Sequence, residues 1–169
     1  MIFSTRRNSI ISGALISVAI ATTQPVFAQI KASAQPAIQN NYNQITAAFV
    51  RKDIQGATAL FTPDYVSIDP EGKQQNLAEV REHYNNLFKR FNVKLTSNKA
   101  TIKNIDVSAG GIDIAMEQKT EGTIGGFIKL VINQTSRDLW LETPQGWRLK
   151  QTKILTNQTT FNGRPFKLR

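Results

Sequence analysis

The sequence predicts an α+β fold, with three helices followed by a run of long antiparallel strands. Two observations carry this. Apolar residues recur at helical spacing as far as Phe91, and beyond it the period changes to two, with glycine-rich breaks between the alternating stretches. A third observation bounds the answer: 169 residues with 40% hydrophobic and 20% charged content suit one globular domain with its own core.

The first 28 residues read as an export signal and not as part of that domain. Arg6 and Arg7 form a positive start, residues 10–21 are apolar, and Val26-Phe27-Ala28 supplies small residues where a signal peptidase cuts. The apolar stretch is shorter than the roughly 20 residues a membrane span needs. Thr5-Arg6-Arg7 resembles a twin-arginine signal, although Ser9 stands where that signal has a bulky apolar residue. Either route places the mature chain in the periplasm or outside a bacterial cell. Residues 29–35 read as a short polar linker.

Pro36 opens the first helix, whose stripe of Ile38, Tyr42, Ile45 and Phe49 runs to about Lys52. Asp53 is a suitable N-cap for a short second helix, which Pro63 ends. Tyr65 to Asp69 alternates as a strand, and Pro70-Glu71-Gly72 turns the chain. Asn76 with Glu79 forms a capping box for a third helix carrying Leu77, Val80, Tyr84, Leu87, Phe88 and Phe91. Strands are expected at about 93–107, 112–121, 127–142 and 146–160, separated by Gly110-Gly111, Gly122 with Gly125-Gly126, and Pro144-Gln145-Gly146. Residues 161–169 read as a basic tail. Three helices on one face of a strongly curved sheet leave an internal pocket, the default place for a ligand.

Composition excludes much chemistry. No cysteine means no disulfide scaffold, no thiolate metal site and no cysteine nucleophile. The single histidine, His83, and the scattered carboxylates fit no metal-ligand spacing, so neither metal nor cofactor is expected. The formal charge is +9, and loss of the signal removes two arginines and no acid, leaving +7. Residues 89–103 and the C-terminal end are basic and free of acids, without any nucleic-acid motif. Weak attraction to anionic envelope surfaces or plain solubility accounts for that charge.

Ala59-Leu60-Phe61-Thr62-Pro63-Asp64-Tyr65 with Ile68-Asp69-Pro70-Glu71-Gly72, and later Arg137-Asp138-Leu139-Trp140 with Gln145-Gly146-Trp147-Arg148-Leu149, resemble the NTF2-like superfamily. That superfamily includes ketosteroid isomerase, SnoaL-type polyketide cyclases and scytalone dehydratase. The resemblance covers residues 36–160 and implies a cone-shaped fold with a pocket, often dimeric through the outer face of the sheet. By the ketosteroid isomerase pattern Asp69 falls on the general base and Asp138 on the protonated oxyanion donor. Ile45 falls where that enzyme has its tyrosine, and Tyr42 lies one turn away. An oxyanion hole that loses one donor loses about 10²–10³ in rate.

Each candidate also has a structural role open to it. Asp69 is either a pocket carboxylate or a turn aspartate bonding backbone amides, and Asp138 shares a face with Leu130, Ile132 and Trp140 and needs a partner. Ile45, Phe49, Tyr65, Ser67, His83, Trp140 and Trp147 are the expected pocket lining. The leading expectation is an exported protein holding a small apolar or amphipathic ligand. The alternatives are an isomerase, cyclase or dehydratase with Asp69 as base, and an interaction module of the cell envelope.

Overall fold

The computed structural model describes residues 24–108 and 110–166, so the positive and apolar parts of the expected export signal lie outside the described residues. The elements run α1 (Gln24–Val50), α2 (Ile54–Ala57), β1 (Phe61–Ile68), β2 (Gln74–Asn76), α3 (Leu77–Arg90), β3 (Val93–Ser108), β4 (Gly111–Ile124), β5 (Ile128–Thr143), β6 (Gly146–Phe161) and β7 (Arg164–Phe166). The fold is α+β, as the two periods predict. The strands form one sheet in the order β2-β1-β6-β5-β4-β3, with β7 on β6.

Local chemistry explains the helix starts. Asp53 accepts from the Gly56 amide at 2.8 Å and caps α2. Asn76 accepts from the Ala78 and Glu79 amides while Glu79 reaches back to the Asn76 amide, the complete capping box that opens α3. α1 departs from expectation, because it is already helical at Gln24 and carries Pro36 inside it. The segment 29–35 is therefore helix and not linker. Ala34 is buried and Ile30 packs on the core, and those contacts offset the backbone bond that Pro36 cannot make.

Four long strands fall close to where the alternation puts them, but Gly122 lies within β4 instead of between strands. A Cβ there would meet the Lys94 carbonyl at 2.4 Å, where β3 bulges toward it between Leu95 and Ser97. Further bulges interrupt β3 between Ile102 and Asn104, and β6 twice along its pairing with β5. Each bulge bends its strand, and together they curve the sheet around α1.

Three pairings escape the sequence: β1 with β2, β1 with β6, and β6 with β7. β1 runs parallel to β6, from Phe61 opposite Leu149 to Ile68 opposite Lys153. Pro63 does not end a helix but lies in β1, within the register shift between Phe61 and Val66 where the ladder is already broken. The expected basic tail begins as structure: Asn162 and Gly163 take positive φ and fold β7 back on β6.

The core lies between α1 and the inner face of β3–β6. Ile38, Tyr42, Ile45, Ala48 and Phe49 of α1 meet Ile105, Ile112, Ile114, Met116 and Trp140. Trp140 has no exposed surface, and Asp138 only 1%.

Candidate functional site

The inner face of β5 alternates Ser136, Asp138 and Trp140, which brings a carboxylate beneath α1. The Tyr42 stripe position on α1 lies directly over it. The Tyr42 hydroxyl donates to Asp138 Oδ2 at 2.7 Å and accepts from Trp140 Nε1 at 3.0 Å. Ser136 Oγ donates to Asp138 Oδ1 at 2.9 Å. Thr152, paired with Asp138 across the sheet, adds a third hydroxyl to the carboxylate. Tyr42 and Trp140 also meet edge to face with ring centroids 5.2 Å apart.

Burial pushes the Asp138 carboxyl up to about 6, against the hydroxyls of Tyr42, Ser136 and Thr152, which favour the ionised form, with Asp113 adding a small upward push. Burial likewise raises the Tyr42 phenol, and the Asp138 charge beneath it adds to that rise. Desolvation raises Tyr65 and Tyr84 as well. No phenol here is poised to ionise, so the cluster can share hydrogen bonds and one proton at Asp138, and little else.

The cluster is also closed. Tyr42, Tyr65, Asp138 and Trp140 are all buried, and Phe49 meets Tyr84 edge to face at 4.7 Å above them. The expected internal pocket is thus filled by the side chains expected to line it: Ile45, Phe49, Tyr65 and Trp140 are core residues. Trp147 and Ser67 are half-buried, and His83 is exposed on α3, edge to face with Tyr84. His83 flanks the Val80 stripe at its exposed edge and lines neither the buried cluster nor the amide rows.

Asp69 does not join Asp138. Its Oδ1 accepts from the Glu71 and Lys73 amides at 3.0 and 2.8 Å, and its carbonyl accepts from the Gly72 amide. It is the turn aspartate between β1 and β2, and the role of pocket base is corrected accordingly. Arg137 points to the other face, onto Asp106 at 3.1 Å.

Beyond the cluster the same inner face changes character. Across from one another lie Ala100, Gln118, Gln134 and Asn157, and in the next row Asn98, Thr120, Ile132 and Thr159. Gln118 Nε2 donates to Asn98 Oδ1 at 2.7 Å, and Thr120 Oγ1 donates to the same oxygen at 3.1 Å. Asn98, Gln118, Thr120 and Gln134 are half-buried, and Asn157 is exposed. Sequence reasoning missed these residues. The signal was present in uncharged amides at inward parity on strands otherwise apolar on that side.

The outer face holds a second concavity of about 430 Å³, lined by Asp113, Arg137, Leu139, Gln151, Lys153 and Leu155.

No curated protein matches the chain. Among solved structures, a protein of Novosphingobium aromaticivorans provisionally described as a scytalone dehydratase is similar at TM-score 0.66 and 12% identity, over 84% of this chain and 93% of that one. A conserved protein from Planctomyces limnophilus is similar at 0.63 and 16%, over 72% and 94%. An NTF2-like protein from Cytophaga hutchinsonii is similar at 0.58 and 12%, over 71% and 95%. At these identities the likeness concerns the fold. The SnoaL-like domain model matches residues 42–156, from the buried Tyr42 to the end of the bulged part of β6, and with the shared NTF2-like fold this makes the chain a member of the SnoaL-like domain family.

Proposed function

We propose that this chain is an exported binding domain, not a catalyst, and that it holds a small amphipathic molecule on the uncovered part of its inner sheet face. One observation carries the reading. Inner-face residues pass from a sealed acid at Asp138 to half-buried, uncharged amides at Gln118 and Gln134 within a few residues along the same strands. Proton transfer needs a titrating group in reach of substrate, and Asp138 has only 1% of its surface exposed and three hydroxyls already on it. Amides orient hydroxyl and carbonyl groups without imposing charge, and neighbouring Ile132 and Ile154 give apolar contact.

The test uses protein purified from its own host. Native mass spectrometry should find a co-purifying small molecule, lost in Gln118→Leu and Gln134→Leu and kept in Tyr42→Phe. Loss on Tyr42→Phe with retention in the glutamine variants, or turnover of a carbonyl substrate, would overturn the reading.

The outer face favours a second role, self-association. Asp106 and Asp113 lie on β3 and β4, Arg137 and Lys153 on β5 and β6, with Leu139 and the 47% exposed Leu155 in the groove. Asp106 and Arg137 pair within the chain, so Asp113 on one side of the groove and Lys153 on the other are the charges that would meet their opposites on a second copy turned about a two-fold axis. Light scattering should report a dimer that Leu155→Asp converts to monomer.

A further inference from the structure

We propose that the tip of the sheet, where α3 ends and β4 turns into β5, is a docking surface for an anionic lipid bilayer. The acid-free stretch 89–103 is one half of it. α3 ends in Lys89 and Arg90, and Asn92 takes a positive φ that swings the chain into β3. Phe91 is left 57% exposed. Val93 pairs with Ile124, so Phe91, two residues before Val93, lies at the same end of the sheet as the Gly125-Gly126 turn and Phe127, which is 80% exposed. Two of the largest apolar side chains on the surface therefore share one end of the molecule.

Cations surround them. Lys94 and Lys129 both pair with Thr123 and lie on either side of it at the tip. Arg164 of β7 is opposite Phe161, which is itself opposite Leu130. The acid in this neighbourhood, Glu121, is taken by Lys119 at 2.9 Å, and Lys129 and Lys99 also hold its carboxyl below the usual range. A soluble polyanion would engage the lysines alone. Two protruding phenyl rings set among them are useful where an anionic surface has an apolar layer beneath it, as a bilayer does. Each element supplies one part: α3 and β7 supply charge, and the hairpin tip supplies a ring that enters first.

The chain contains no cysteine, so a single introduced one reports its own position. Thr123→Cys and Gln145→Cys, at opposite ends of the sheet, are labelled with an environment-sensitive fluorophore and mixed with phosphatidylcholine vesicles with and without phosphatidylglycerol. The expected result is a blue shift at position 123 only, only with phosphatidylglycerol, and weakening as salt rises. Phe91→Ser and Phe127→Ser should each lower vesicle affinity about tenfold, since an apolar ring that leaves water accounts for at least that much. Both side chains are exposed, so a melting curve matching the parent establishes that the fold is intact. A shift at position 145 instead of 123, or no dependence on phosphatidylglycerol, would overturn the proposal. So would serine variants that bind as the parent does while heparin competes fully, which would assign the site to soluble polyanions.

Discussion

The two halves of the inner sheet face are built from the same strands with the same alternation, and they do opposite things. Near the β5–β6 turn the inward positions are Ile112, Ile114, Asp138, Trp140 and Leu149, all buried under α1. Toward the β4–β5 turn come Asn98, Gln118, Thr120 and Gln134, all half-buried, before Val93 and Leu130 are buried again at the turn itself. Helix cover makes the difference. Where α1 lies on the sheet, even a carboxylate is sealed by partners that donate to it; from Ala100, whose carbonyl still accepts from Gln39 of α1, outward along that row, neutral amides keep their contact with water. In this fold, strand parity identifies the inner face, and only the helix above it says whether that face is core or site.

That contrast can be broken by substitution. Trp140→Ala should lower stability by about 4 kcal/mol, since it empties a fully buried indole site and strips Tyr42 of a donor. Phe127→Ala, an aromatic residue of the same sheet's tip, should stay within about 0.5 kcal/mol. Urea unfolding of the two variants side by side measures the difference. Equal losses would show that the tip is packed as the core is.

The next largest effect is on pH dependence. Asp138 is raised from its ordinary 3.8 to about 6 in the folded chain. A folded value above the unfolded one means its contribution is fully present below the unfolded value and is lost as pH rises through about 6. The shift corresponds to about 3 kcal/mol. Melting between pH 4 and 8 should show this decline in the parent, and Asp138→Asn should flatten it. Asn carries no charge to desolvate, and a neighbouring hydroxyl can rotate to accept its amide.

Tyr42→Phe comes third, at about 2 kcal/mol, because Trp140 Nε1 loses its acceptor in a buried place. It should also raise the Asp138 carboxyl further, visible as a shift of the same pH curve to higher pH. Asn76→Ala comes last. It removes the capping box of α3 at about 1 kcal/mol and should leave both halves of the sheet face unchanged.

Much of this was legible in the sequence, and the limits have physical causes. Strict alternation gave β3 to β6 nearly to their ends, and the Asn76–Glu79 pair gave the start of α3, because both signals are local. The Tyr42–Asp138 meeting was accessible as a stripe position over an inward carboxylate. Its closure was not, because filling depends on the size of Trp140 and the reach of Phe49 and Tyr84, which periodicity does not encode. Asp69 shows the same limit: Asp-Pro-x-Gly describes a turn equally well with or without a pocket behind it. The parallel β1–β6 pairing was hidden because it joins distant segments. β7 was not hidden, since Asn162-Gly163 is a strong hairpin signal that the basic composition of the tail overshadowed.

The separation of sealed cluster from open face is tested most directly by one nuclear magnetic resonance experiment. Isotope-labelled protein is titrated with small-molecule extract of its host, and the indole Nε1–H of Trp140 is followed beside the side-chain amides of Gln118 and Gln134. The amide resonances should move with saturation while the indole resonance stays fixed. Movement of the Trp140 indole with still amides would contradict the account, placing the ligand at Tyr42 and Asp138 after all.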